Sequence, residues 1–428
     1  MIATTLLILL VLLALSVPVA AALGVLGLVL ERLYSAMPLS PAMGEIAWSS
    51  GRDFLLVAIP MFVLLGEILL RSGVAERMYG AMVKWLSWLP GGLMHSNIGT
   101  CAVFAATSGS SVATAATVGT VALPQIRRHG YNERLFLGTL AAGGTLGILI
   151  PPSINIIVFA VLTDTSIPRL YLAGVIPGLA LALIFMAIVV AACLWRPDWG
   201  GPRDTTTWAE RIASLVHLLP PLGIFLVVVG SIYAGIATPT EAASLGVIAA
   251  LGLAAAFGRL NWRMLMEAFE NTMRTTAMIM LIIIAAYFLN FVISAIGLTA
   301  ALTGFISELG LSPYQMLLAI VVFYLVLGCF METLSMMITT IPIVTPVMVA
   351  LGFDPVWVGI VIVILIEAAL ITPPVGLNLY VVQSLRERGG LDDVIVGSLP
   401  FVAAMMLLIV LLAVFPGIAL WLPSTFRG

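Results

Sequence analysis

Gly143-Gly144-Thr145-Leu146-Gly147-Ile148-Leu149-Ile150-Pro151-Pro152-Ser153-Ile154-Asn155 lies inside a stretch otherwise apolar enough to cross a membrane. Its two prolines remove two backbone donors and push the residues before them out of the α conformation, while three upstream glycines weaken the helix leading in. In lipid every N–H and C=O must find a partner within the protein, so backbone that leaves the helix at membrane depth survives only where it is buried or lines a cavity. The same device returns at Thr372-Pro373-Pro374-Val375-Gly376-Leu377-Asn378, with Thr372 standing 222 residues after Ile150. Discontinuous segments at matching positions of two halves point to a binding site between them.

The rest of the chain supplies the bilayer context. Of 428 residues, 62% are hydrophobic and only 9% are charged, against about 25% charged in soluble domains. Apolar runs long enough for a core roughly 30 Å thick recur from residue 2 to residue 422. The fold class is therefore an all-α polytopic membrane protein. A formal net charge of −2, a single lysine (Lys84) and no basic stripe give nucleic acid nothing to bind. Cys101, Cys193 and Cys329 form no CxxC pair, and His95, His129 and His217 are widely separated. No Ser-His-Asp set, HExxH or Walker A motif is present, so neither an enzyme nor an ATP-driven pump is supported. Met1 to Leu15 lacks a basic leader and is read as a retained span.

Self-similarity at the 222-residue offset extends beyond the breaks. Pro124 matches Pro346, and Val17-Pro18 with the small residues after it matches Thr238-Pro239-Thr240-Glu241. Three matches in one order argue for duplication. Arg127, Arg128 and Arg134 follow the first repeat's polar segment, whereas Ala350 to Asp354 carries no base; one loop later the asymmetry reverses, with Arg386 and Arg388 in the second copy. Because Arg and Lys near span ends favour the cytoplasm, the copies are inverted. The expected first repeat is 1–212, with hairpin 94–126 and broken helix 135–163; the second is 213–428, with hairpin 313–350 and broken helix 356–384. Each makes five crossings: 2–16, 18–34, 53–71, 135–163 and 169–195, then 215–235, 239–257, 275–293, 356–384 and 396–422. The hairpins re-enter, residues 72–90 and 298–312 form interfacial arms, and both termini lie outside.

The hairpin tips complete the candidate site. Thr107-Ser108-Gly109-Ser110-Ser111 is small and polar, with Gly109 free to take positive φ and hydroxyls able to cap helix ends or join carbonyls around a cation. In the second half Glu332, opposite Ser110 at the offset, could hold a cation, relay a proton or cap the descending helix. Glu367 precedes the second break, whereas Glu67 and Arg71 read as a structural i,i+4 pair and Thr238 with Glu241 as a capping box. Half-helix N-termini facing a cavity favour an anion and the broken carbonyls favour a cation, which suits an organic acid moved with Na⁺.

The Ser108-Gly109-Ser110-Ser111 tip, the Gly147 to Ser153 break, Thr238-Pro239-Thr240-Glu241 and Thr372-Pro373-Pro374 together resemble the large membrane subunit of tripartite ATP-independent periplasmic (TRAP) transporters, over nearly the whole chain. The resemblance implies an elevator-type transporter of the ion transporter superfamily in the bacterial inner membrane. It implies Na⁺-driven uptake of carboxylates such as C4-dicarboxylates or sialic acid, with a periplasmic substrate-binding protein and a small four-helix membrane subunit as partners. That subunit is expected as a separate chain, since no extra N-terminal spans of fused members are seen. Resemblance also places the Na⁺ sites: Ser108, Ser110 and Ser111 with Gly147, Pro151 and Ser153, and Glu332, Thr333 and Ser335 with Thr372, Pro373 and Asn378. Candidate cargo contacts are Ser108, Gly109, Ser110, Thr333, Asn155 and Asn378. The rival reading is a single-component Na⁺ or H⁺ coupled carboxylate symporter, which would transport without partners.

Overall fold

The computed structural model describes every residue except 16, 202–205, 302, 303, 305–309, 329, 330, 375, 387 and 426–428, and no side chain at 13, 14 or 127–129. Among the described residues the chain is all helical. In chain order the helices are α1 (Ile2–Ala14), α2 (Val19–Tyr34), α3 (Ala42–Gly51), α4 (Ala58–Arg71), α5 (Val74–Leu86), α6 (Leu93–Ser108) and α7 (Ser111–His129). They continue as α8 (Glu133–Leu149), α9 (Ile154–Thr163), α10 (Ile167–Trp195), α11 (Trp208–Ser214), α12 (Leu219–Tyr233), α13 (Pro239–Ala256) and α14 (Trp262–Ala295). The last six are α15 (Pro313–Leu327), α16 (Thr333–Ala350), α17 (Pro355–Ala369), α18 (Leu377–Ser384), α19 (Leu391–Val414) and α20 (Gly417–Thr425).

Local chemistry sets these boundaries. Thr238 and Glu241 form the expected capping box, with Glu241 accepting the Thr238 N–H at 2.8 Å and Pro239 at the first helical position of α13. Asn132 caps α8 by accepting from Leu135 N–H at 3.0 Å, and Asp354 caps α17 by accepting from Val356 N–H at 2.7 Å. Both expected breaks are present: α8 gives way to α9 across Ile150–Ser153 with a bend of 41°, and α17 is separated from α18 by residues 370–376. The Pro151-Pro152 and Pro373-Pro374 bonds are both cis.

By length and apolarity six single helices qualify as membrane spans, and two bent pairs raise the number to eight among the described residues. The protein is thus multi-pass, but three expectations need correction. The expected crossing 396–422 is two helices, because α19 ends at Val414 and Pro416 cannot continue it. The expected crossing 275–293 is part of one 34-residue helix, α14, which begins at Trp262. Residues 35–52, left without an element between two expected crossings, contain α3. The arm expected at 72–90 corresponds to α5, while most of the arm at 298–312 lies outside the described residues.

The helices pack in two groups. One consists of α2, α4, α12, α13 and α14. In the other, α6, α7, α10 and α19 surround α8, and α17 packs against α8, α10, α15, α16 and α19. Small residues let α8 and α19 touch backbone to backbone: a Cβ on Gly138 would collide with the Gly397 carbonyl, and one on Gly397 with that of Arg134. At the same end Arg134 Nε meets Asp393 at 2.9 Å, and Arg386, whose side chain is nearly buried, meets Glu133 at 2.7 Å. The groups meet mainly where α4 contacts α6 and α9, α12 contacts α6, and α14 contacts α16.

Candidate functional site

Gly109 and Ser110 alone join α6 to α7. Gly109 takes φ 62°, the left-handed conformation glycine accommodates without a Cβ clash, and its N–H bonds the Ala105 carbonyl to end α6. Ser110 then caps α7, its Oγ accepting from Ala113 N–H at 3.4 Å, while Ser108 Oγ and Thr114 Oγ1 pair at 2.9 Å. The tip is pressed onto the first break. A Cβ on Gly109 would sit 3.0 Å from the Pro152 carbonyl oxygen, and one on Gly147 would sit 2.9 Å from that of Ser110. Gly147 is therefore a seat for the tip, while Ser153 caps α9 through Ile156 N–H at 3.4 Å. Pro151 stands in the gap between the half-helices.

The second tip is built on a carboxylate. Glu332 accepts from Ser335 N–H and Ser335 Oγ, both at 2.7 Å, and from Leu334 N–H at 3.2 Å. Of the roles open to it, capping α16 is thus directly observed. Ser335 is engaged by that carboxylate, and its carbonyl accepts from Thr339 Oγ1 at 2.7 Å. Thr372 folds its hydroxyl back to the Ala368 carbonyl at 2.7 Å, and Pro373 follows it in the second gap. Asn378 does not join the second tip. It is fully buried, closes its own gap through N–H to Leu370 O at 3.1 Å, and reaches α8 with Nδ2 on Ala141 O at 3.2 Å.

A contact across the two halves ties these parts together. Ser111 Oγ lies 3.0 Å from both carboxyl oxygens of Glu367, which is fully buried in α17. Next to it, a Cβ on Gly144 would lie 3.0 Å from Asn378 Nδ2 and 3.1 Å from the Ser111 carbonyl. Asn378 Oδ1 has no hydrogen-bond partner among the described residues. Sequence reasoning treated Glu367 only as a neighbour of the second break. The signal was nevertheless present, since a carboxyl within a fully apolar helix marks a functional position by default.

Both tips open on one cavity of about 380 Å³. Ser108 to Ala113 line it from the first tip, Glu332, Thr333 and Leu334 from the second, and Ile148, Ile154, Asn155 and Leu370 from the breaks. The opposite wall comes from Val63, Gly66, Glu67 and Leu70 of α4 and from Thr275, Met278 and Ile279 of α14. Seven predicted residues therefore share the cavity: Ser108, Gly109, Ser110, Ser111, Asn155, Glu332 and Thr333. Gly147, Pro151, Ser153, Ser335, Thr372, Pro373 and Asn378 are not in its wall. A second pocket of about 120 Å³ lies behind the second tip, between Gly328, Glu332 and Thr333 and the end of α17.

The α4 and α14 wall was missed. Glu67 does pair with Arg71, but it also accepts from Asn271 Nδ2 at 3.3 Å and faces the cavity. The 63, 66, 67, 70 spacing marks one face of α4, and Asn271, Thr275 and Met278, at i, i+4 and i+7, share one face of α14.

Residues 6–418 match the family described as tripartite ATP-independent periplasmic transporter, DctM component. The chain belongs to this family. Among DctM relatives, the C4-dicarboxylate TRAP transporter large permease protein of Pseudomonas aeruginosa is 34% identical over 379 residues, 88% of each chain. The sialic acid TRAP transporter large permease protein SiaM of Vibrio cholerae is 30% identical over 377 residues, again 88% of each. In fold, this DctM chain is similar to the crystal structure of the Alcanivorax borkumensis YdaH transporter, with a TM-score of 0.61 and 17% identity over 98% of this chain and 99% of that one. Both relatives are named as permease proteins of transporters, and the family itself as a component of an ATP-independent transporter.

Proposed function

We propose that this DctM component carries an organic acid across the bacterial inner membrane with Na⁺, receiving it from a periplasmic binding protein and working beside a small membrane subunit. The observation that carries the reading is the cavity walled by both tips, both breaks and the α4 and α14 face. Its volume of about 380 Å³ suits a small organic molecule. The N-terminus of α7 meets it, where a carboxylate gains from unpaired N–H groups and the helix dipole. Relatives named for C4-dicarboxylates and sialic acid support a carboxylate as the cargo class.

Two places supply the oxygens a hard cation requires. Ser111 and Glu367, beside the unpaired Oδ1 of Asn378, form the first donor set; Glu332 and Thr333 at the smaller pocket form the second. In this reading the two halves, 1–212 and 213–428, are inverted repeats, both termini are periplasmic, and the tip-bearing helices move as an elevator against the group containing α4 and α14.

The test is uptake of labelled carboxylates into proteoliposomes, with and without an inward Na⁺ gradient, adding the small subunit and the binding protein singly and together. Uptake requiring the gradient and all components is expected; uptake by this chain alone would favour the single-component symporter. Ser110→Ala and Glu332→Ala should each lower Na⁺-dependent uptake while leaving folded protein in the membrane. Normal uptake in both would remove these residues from the site.

A further inference from the structure

The cavity wall is chemically lopsided. Among its described residues no Arg, Lys or His appears, and the ionisable groups are Glu67 and Glu332. Most of its polar groups are already engaged: Ser108 with Thr114, Ser111 with Glu367, Glu332 with the α16 N-terminus, and Glu67 with Arg71 and Asn271. One strong donor is left over. Asn155 is 3% exposed, lines the cavity, and its Nδ2 has no hydrogen-bond partner among the described residues. A buried amide without a partner is destabilising, so this position is complete only when an acceptor enters. Ser110 and the first turn of α7 stand in the same wall. The rest of the wall is mostly aliphatic, with Val63, Leu70, Met278, Ile279 and Leu334 offering no hydrogen bonds from their side chains and only the hydroxyls of Thr275 and Thr333 beside them among the described residues.

Resting on the transport reading above, we infer that the cargo is a monocarboxylate with an apolar body. Its carboxylate takes the N–H groups of Asn155 and the α7 N-terminus, and its hydrocarbon part lies against the α4 and α14 wall. A second carboxylate would enter a region whose charged groups are both acidic and which offers no cation to pair with it, at a desolvation cost that nothing in the wall offsets. A polyhydroxylated sugar acid would leave several hydroxyls facing aliphatic carbon, with the same consequence. The geometry therefore selects against both cargo classes that name the two relatives above.

The complete assembly, in proteoliposomes with an inward Na⁺ gradient, is offered labelled 4-methyl-2-oxopentanoate, succinate and N-acetylneuraminate. The branched monocarboxylate is expected to accumulate at least about tenfold more than the other two, the ratio set by one unpaired buried polar group. Asn155→Ala should lower its uptake by about tenfold or more, as loss of a hydrogen bond to a charged group does. Met278 lines the cavity, so Met278→Asp, scored against its own level of folded protein in the membrane, places a third carboxyl in the wall; it should raise KM for the monocarboxylate several-fold while leaving the Na⁺ dependence in place. Gradient-driven uptake of succinate or N-acetylneuraminate in preference to the monocarboxylate would overturn the inference and leave the transport reading standing. So would an unchanged KM in Met278→Asp. Failure of the gradient to drive any of the three acids would overturn both.

Discussion

Ser111 and Glu367 come from helices 256 residues apart, yet their side chains are in direct contact. A hydroxyl has one proton and can donate to only one of the two carboxyl oxygens at a time, so the pair alone leaves acceptor capacity in a fully buried position. If the remaining capacity holds the coupling ion, Glu367→Gln, which keeps the shape and replaces one carboxyl oxygen by an amide donor, should raise the Na⁺ concentration for half-maximal uptake by about tenfold. Ser111→Ala should move it in the same direction. Na⁺ titration of uptake by the two variants checks this, and an unchanged midpoint in both would move the ion elsewhere. At this scale the sequence was legible wherever chemistry forces a residue type: Gly109 at positive φ, Ser110 at a cap, and the prolines of both gaps. It was not legible where tertiary facing decides. Asn378 could have pointed toward the second tip or toward α8, and the prolines before it do not say which.

Helices behave similarly. The tips and breaks were readable because helix-ending residues are few and local, whereas the contact between α8 and α19 depends on two glycines far apart in sequence, Gly138 and Gly397. Replacing either by Val inserts a branched side chain into a space occupied by the opposite backbone, and overpacking of this kind costs about 1–3 kcal/mol. Gly80 of α5, where a Cβ would meet nothing within 4 Å, is the control. Thermal melts in detergent should show a lower midpoint for Gly397→Val than for Gly80→Ala, and equal midpoints would mean that the two helices separate without cost. The interruption between α19 and α20 was missed for a different reason. Apolarity runs unbroken through Phe415 and Pro416, and a span drawn from hydropathy passes over a single proline that the backbone cannot.

For the molecule as a whole, α6 to α10 and α15 to α19 follow one another in the same order, two helices meeting at a polar tip, a broken helix and a long helix. Their orientation in the bilayer rests on arginine placement. A periplasmic C-terminus predicts that alkaline phosphatase fused after Thr425 is active and that a green fluorescent protein fused there is dark. The opposite pattern would require an odd number of crossings between the two ends, or an inside N-terminus, and with it a redrawn scheme of re-entry.

The cavity described above is a seam, because its two walls belong to helix groups that pack mostly within themselves. A molecule released to the far side must leave at least one wall behind, so grip on both walls at once works against turnover. The same property makes the seam vulnerable. A compound broad enough to fasten onto Met278 and Leu70 on one side and onto Asn155 on the other would act as a staple, arresting the carrier without resembling what it carries.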